Sequence, residues 1–81
     1  MTAGILILDL HGKTQYQAQV AIDAQLRRAR AGVYRLRLIH GSHQGTALRS
    51  MIRSRYAGHS RVLRLDCAAD GFTDLILREF P

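Results

Sequence analysis

The chain has 81 residues, enough for one small domain and too few for a second. Twelve Lys and Arg residues oppose six Asp and Glu residues, and the formal charge of +6 favours nucleic acid as a partner over a membrane surface or an acidic protein. A single cysteine excludes an internal disulfide, and the apolar start is too short and lacks the basic flank of a signal peptide or membrane span. We therefore expect a cytoplasmic protein with no membrane partner.

The first half of the chain predicts a strand, a helix and a second strand. Residues 4–10 are apolar on both faces, which is typical of a central strand in a partly parallel sheet. Gly12 breaks this run, and Thr14 opens a capping-box pattern that starts a helix with an expected stop at Gly32. A crossover of this length requires the strand at 33–39 to return parallel to the first strand.

The second half predicts another helix and an antiparallel pair of strands. The helix opens at Thr46, and its apolar stripe holds Leu48, Met51, Ile52 and Tyr56. Residues 61–67 alternate, with Leu63 expected on the same face as Leu65 and Cys67. A turn at Asp70-Gly71 then leads into a last strand at 72–80.

The order β-α-β-α-β-β predicts an α/β fold, a two-layer sandwich. Two helices cannot cover both faces of a four-stranded mixed sheet, so we expect both on one face. The other face would carry Arg35, Arg37 and Arg64. All 81 residues are assigned to one domain, with its core over residues 5–80.

Two His-Gly pairs stand at the ends of apolar runs, and the first follows an acid. Asp9 and His11 are two residues apart, so their side chains point to one face at the carboxyl end of the first strand. A carboxylate there can fix the tautomer of the imidazole and raise the basicity of its other nitrogen, which is a general-base arrangement. His40 follows the adjacent strand and reaches the same edge, where open α/β sheets bind ligands. The alternative interpretation is structural, with both histidines satisfying only backbone groups.

The same edge predicts a phosphate site. Helix N-termini bind phosphate through backbone amides, which we expect here from Gly12, Lys13, Gly41 and Gly45. The further predicted nucleic-acid contacts are Ser42, His43, Arg49 and Arg53. A solvated helix face is the alternative for these arginines, and Arg27, Arg28 and Arg30 at the opposite edge are expected only to aid solubility. The histidines and Asp9 lack the compact spacing of a structural metal site, so no metal is expected.

A known family shares these motifs. Leu-Asp-Leu-His-Gly at 8–12, followed some thirty residues later by Ile-His-Gly and a loop into Ala-Leu-Arg, resembles the Smr (small MutS-related) domain over nearly the whole chain. The resemblance implies a fold similar to the carboxyl-terminal domain of translation initiation factor 3. It places the family's acid and histidine at Asp9 and His11, and its His-Gly at His40 and Gly41. Many members continue with Gly-x-Gly, of which only Gly45 remains here, so we expect a variant, stand-alone member.

The resemblance also implies DNA-nicking or RNA-cleaving activity, which some members have. In this hypothesis Asp9 orients His11, which takes a proton from water or from an RNA 2′-hydroxyl, and His40 protonates the leaving oxygen or stabilises the phosphorane. The partner is DNA or RNA, structured or branched, and the scheme requires no cofactor. Two alternatives stay open. One is a nucleic-acid-binding module without chemistry, and the other is a protein-interaction domain associated with the ribosome or with DNA repair.

Overall fold

The computed structural model describes residues 4–41 and 46–79. It confirms the predicted element order, which is β1 (Ile5–Asp9), α1 (Gln15–Arg28), β2 (Arg35–Ile39), α2 (Thr46–Tyr56), β3 (Arg64–Asp66) and β4 (Phe72–Ile76). The strands form one mixed sheet in the order β1-β2-β4-β3, in which only β1 and β2 are parallel. Neither helix in the described part of the chain is long and apolar enough to cross a membrane.

The start of α1 follows the predicted capping box, whereas its end does not follow the predicted glycine stop. Thr14 Oγ1 accepts the Gln17 amide at 3.1 Å, and the Gln17 side chain accepts the Thr14 amide at 3.0 Å. The helix ends at Arg28, short of Gly32, because Ala29 already has extended backbone angles. Residues 29–32 are instead used in the turn that returns the chain to β2.

One row of side chains from the sheet packs against both helices, as predicted. In the strand register Leu36 lies between Leu6 and Leu75, and Leu38 lies between Leu8 and Thr73. Each fully buried aliphatic side chain stabilises the fold by about 1.5–3 kcal/mol. The helices complete this core with Ala18, Ile22, Leu26, Leu48, Met51, Ile52 and Tyr56.

The predicted alternation of the third strand is wrong at Leu63. This side chain is 53% exposed, whereas Val62 is buried. The strand begins only at Arg64, so residues 61–63 belong to the turn after α2 and do not follow strand periodicity. The last strand is also shorter than predicted, because β4 ends at Ile76.

The open face of the sheet carries charged residues that are paired with one another. Arg37 donates two hydrogen bonds to Asp74, both of 3.0 Å, and its guanidinium lies 4.1 Å from the centroid of the Phe72 ring. Arg35 donates to Asp74 and, at 3.2 Å, to Asp66. Asp74 is only 1% exposed because the two arginines cover it. Arg35 and Arg37 are therefore on this face as predicted, but both are paired with acidic side chains.

Candidate functional site

The two His-Gly pairs meet at one edge because β1 and β2 end at the same level. Asp9 pairs with Ile39 in the parallel register, and the Leu10 amide extends this pairing by donating to the Ile39 carbonyl at 2.7 Å. A cleft of about 440 Å³ opens at this edge, lined by His11, Gly12, Lys13, His40, Gly41 and Leu48. Five of the predicted site residues therefore line one cleft.

Asp9 and His11 form an exposed acid-histidine pair at the end of β1. Asp9 Oδ1 lies 2.7 Å from His11 Nδ1 and also accepts the His11 backbone amide at 3.1 Å. A carboxylate only accepts hydrogen bonds, so His11 Nδ1 carries the proton and Nε2 keeps its lone pair. The side-chain bond and then the backbone bond from His11 lower the pKa of Asp9. With 75% of the His11 side chain exposed, Nε2 is accessible to a substrate.

His40 is placed differently from what the proton-donor scheme requires. The residue is 2% exposed, and both of its ring nitrogens have partners. Nδ1 donates to the Gly41 carbonyl at 2.9 Å, so Nε2 is left to accept the Thr73 hydroxyl at 3.0 Å. His40 thus has no free nitrogen for a leaving oxygen. Its contacts instead connect β2 to β4 and hold the backbone of Gly41.

The backbone amides are less available to a phosphate than the sequence predicts. The Gly41 amide donates to the Gly71 carbonyl at 2.9 Å, and the Lys13 amide donates to the Leu10 carbonyl at 3.0 Å. Both glycines of the His-Gly pairs have positive φ angles, +78° at Gly12 and +84° at Gly41, a conformation that disfavours other residues. These glycines shape the turns around the cleft, and two of the four predicted amides are already bonded.

Other groups near this edge retain capacity for an anion. The first turn of α1 has no acidic residue, and the Thr14 side chain caps only the Gln17 amide. The amides of Gln15 and Tyr16, the first two of the helix, therefore stay free to bind an anion at the positive end of the helix dipole. Lys13, two residues before Gln15, lines the cleft itself.

The remaining predicted contacts lie elsewhere or outside the described part. Arg49 is half-buried and Arg53 is exposed on α2, and neither lines the cleft, although the neighbouring Leu48 does. Ser42, His43 and Gly45 lie outside the described residues. Among residues 4–41 and 46–79, no group of three His, Cys, Asp or Glu side chains is placed to hold a metal ion.

Sequence reasoning missed Thr73 as a contributor to this site. It is 1% exposed, pairs with Leu38 in the sheet and holds His40 Nε2 through its hydroxyl. The available signal was a lone hydroxyl in the otherwise apolar, inward-facing row of β4, because a buried hydroxyl needs a partner. Nothing in the sequence indicated that this partner would be a histidine 33 residues away.

The fold and the edge define a two-layer α/β domain that presents an acid-histidine pair beside the N-terminus of a helix. The family model of the Smr domain matches residues 8–72. The chain belongs to the Smr domain family, as its motifs predicted. Its fold is similar to the crystal structure of the Smr domain of Thermus thermophilus MutS2, with 36% sequence identity and a TM-score of 0.79, over 91% of this chain and 99% of that domain.

The family gives a general class of function. Smr domains are associated with nucleic-acid binding and with nucleases. No curated protein matches the chain. The comparisons therefore support the fold and this class, and the chemistry has to be argued from the residues of the cleft.

Proposed function

We propose that this Smr domain binds nucleic acid at the His11 edge and cleaves a phosphodiester bond there. The observation that carries the proposal is the 2.7 Å contact between Asp9 Oδ1 and His11 Nδ1, which leaves Nε2 open in a cleft. A base oriented in this way accelerates proton transfer by about 10²–10⁴-fold. The proposal places this activity in the cytoplasm.

An RNA strand supplies its own nucleophile to such a base. His11 Nε2 takes the proton of a 2′-hydroxyl, whose oxygen forms a bond to the adjacent phosphorus. The bond between phosphorus and the 5′ oxygen breaks, water protonates that oxygen, and the products are a 2′,3′-cyclic phosphate and a 5′-hydroxyl. The ionised Asp9 stabilises the imidazolium that forms. On DNA the same nitrogen would take its proton from an attacking water molecule.

Positive groups around the cleft stabilise the charge that develops on the phosphate. The Lys13 ammonium and the free amides in the first turn of α1 act as fixed donors to the phosphorane oxygens. Tyr16 in this turn is 74% exposed and offers a ring on which a base can stack. His40 acts as a positioning residue, since it holds Gly41 against the cleft without touching the substrate.

A binding module without chemistry is the second candidate function. It is favoured by the engagement of both His40 nitrogens, because the described cleft then has no second imidazole to protonate the leaving oxygen. In this alternative the same basic edge binds nucleic acid, and His11 contributes only a hydrogen bond. Association with ribosomal or repair proteins is a third hypothesis, which no contact in the described residues favours.

Cleavage of end-labelled RNA and DNA by the purified chain separates the first two candidates. Wild type should cleave RNA, and His11→Ala purified in parallel should be slower by about 10²–10⁴-fold. The affinity of His11→Ala for the uncleaved strand should change by less than about twofold, since Lys13 and the helix amides remain. Binding by wild type without cleavage, with and without divalent metal, would establish the binding module instead.

A further inference from the structure

A second basic cleft lies at the far end of the helix layer from His11. It has a volume of about 250 Å³ and is lined by Asp23, Leu26, Arg27, Arg55, His59 and Arg61. These residues come from the C-terminal halves of α1 and α2 and from the turn that follows α2. They belong to neither His-Gly pair, so this cleft is separate from the edge described above.

Fixed contacts hold the side chains of this cleft in place. The buried Tyr56 donates its hydroxyl to Asp23 Oδ1 at 2.7 Å, and burial raises the pKa of Tyr56 to about 12. Arg55 donates to the other oxygen of Asp23 at 3.4 Å. Arg61 donates to the Leu26 carbonyl at 3.2 Å, which also covers one of the negative carbonyl groups at the end of α1. Specific contacts therefore position Asp23, Arg55 and Arg61 in this cleft.

The cleft retains more positive charge and more donors than its one carboxylate can satisfy. Three guanidinium groups surround Asp23, and both of its oxygens are already bonded to Tyr56 and Arg55. His59 Nδ1 accepts the Arg61 amide at 3.1 Å, so its neutral ring carries the proton on Nε2 and can donate. Several N–H donors with excess positive charge are what a phosphate group requires.

The open face of the sheet provides an internal comparison. Its three arginines are each paired with an acid, through the contacts of Arg35 and Arg37 with Asp74 and of Arg64 with Glu79. Apart from Arg78, which donates to the Val33 carbonyl, the described basic residues without an acidic partner lie on the helices or near their ends. Arg27 lies at one of these ends, in the last turn of α1, and Lys13 lies at the other.

We propose that this far cleft is a second phosphate-binding site, which takes a backbone phosphate of the same nucleic-acid strand that reaches His11. The inference rests on the proposed function, because it needs a strand long enough to reach both ends of α1. This helix has 14 residues. At a rise of 1.5 Å per residue the helix spans about 21 Å, which equals the axial rise of roughly six nucleotides in a stacked strand at 3.4 Å each. Short oligonucleotides should contact one cleft, and long ones both.

Two neighbouring arginines of α1 provide a matched pair of variants. Arg27 lines the cleft, whereas Arg28 carries the same charge on the same turn and does not line it. The experiment measures the anisotropy of labelled 2′-O-methyl oligouridylates, 3 and 16 nucleotides long, with the full chain. Arg27→Ala should weaken binding of the longer strand by roughly fivefold and reduce the salt slope by about 0.7. Arg28→Ala should change both quantities much less, and neither variant should alter binding of the shorter strand.

Each of the following outcomes would overturn the second site. They also show whether the proposed function fails with it. Equal losses in Arg27→Ala and Arg28→Ala would mean that only overall charge matters. Equal wild-type affinity for the two lengths would mean that only the His11 edge binds. Absence of binding to either strand would overturn the proposed function together with the second site. Tighter, Arg27-dependent binding of a tetraglutamate peptide would reassign the cleft to an acidic protein.

Discussion

The two histidines that precede glycine differ in burial and in hydrogen bonding. His11 is largely exposed, and one of its nitrogens is open to solvent, whereas His40 is buried with both nitrogens bonded. Their local sequences are alike, since each ends an apolar strand and precedes a helix. The strand order separates them. His11 follows the edge strand β1, whereas His40 follows the central strand β2 and reaches Thr73 on β4.

The position of a strand in the sheet therefore decides what a histidine at its end can do. A residue after an edge strand has a neighbouring strand on one side only, so its ring can stay in solvent. A residue after a central strand has a strand on each side, and His40 finds a side-chain partner on one of them, Thr73 of β4. The shared His-Gly motif can therefore supply a base at His11 and structural hydrogen bonds at His40.

The largest difference in stability is expected when each histidine is replaced by alanine. His40→Ala should lower the free energy of unfolding by about 3 kcal/mol, because it opens a cavity and leaves the Thr73 hydroxyl unpaired. His11→Ala should lower the denaturation midpoint in urea far less, since its ring is largely exposed and only the surface contact with Asp9 is lost. Equal midpoints for the two variants would contradict the assignment of a structural role to His40 alone.

A smaller effect is expected from the partner of His40. Thr73→Val keeps the shape of the side chain but removes the hydroxyl, so the free energy of unfolding should fall by about 1–2 kcal/mol. Nitrogen NMR should show a changed environment at His40 Nε2 and an unchanged His11 ring. Thr73→Ser is the matched control, because it retains the hydroxyl and should retain the wild-type Nε2 signal. Loss of that signal in both variants would show that packing, rather than the hydrogen bond, places the ring.

The smallest effect concerns acid stability at the exposed pair. Contacts with His11 lower the pKa of Asp9 from its ordinary value of 3.8, so the ionised carboxylate is favoured in the folded state. Its contribution is present above pH 3.8 and is lost as the pH falls through the lowered folded pKa. Urea unfolding of wild type and Asp9→Asn at several pH values should converge in acid. A difference that grows as the pH falls below 3.8 would contradict this sign.

Much of the fold followed from the sequence because its signals are local. The capping box at Thr14, the helical stripe of α2 and the turn before β4 each depend on a few adjacent residues. The length of the crossover then predicted that β2 runs parallel to β1. The end of α1 and the exposure of Leu63 were predicted wrongly, because both depend on where the chain turns to meet a distant strand.

The site could be predicted only in part for the same reason. The Asp9–His11 contact spans two residues, so strand geometry alone placed the two side chains together. The burial of His40 depends on a hydroxyl contributed from β4, and the pairing of Arg37 depends on Asp74 in the same strand. The far cleft joins residues of α1 to residues of α2 and of the turn after it, and no motif marks it. The catalytic roles of Asp9 and His11 stay predictions.

Asp74 limits the positive charge that the open face of the sheet presents to a polyanion. This one carboxylate binds two guanidinium groups and is itself screened from water by them. Its replacement by asparagine would leave Arg37 without an anionic partner and Arg35 with only the more distant Asp66. A polyanion would then meet an attractive surface on both sides of the sheet. In the native protein Asp74 neutralises these two arginines, so the attraction for a polyanion is weaker on this side of the sheet.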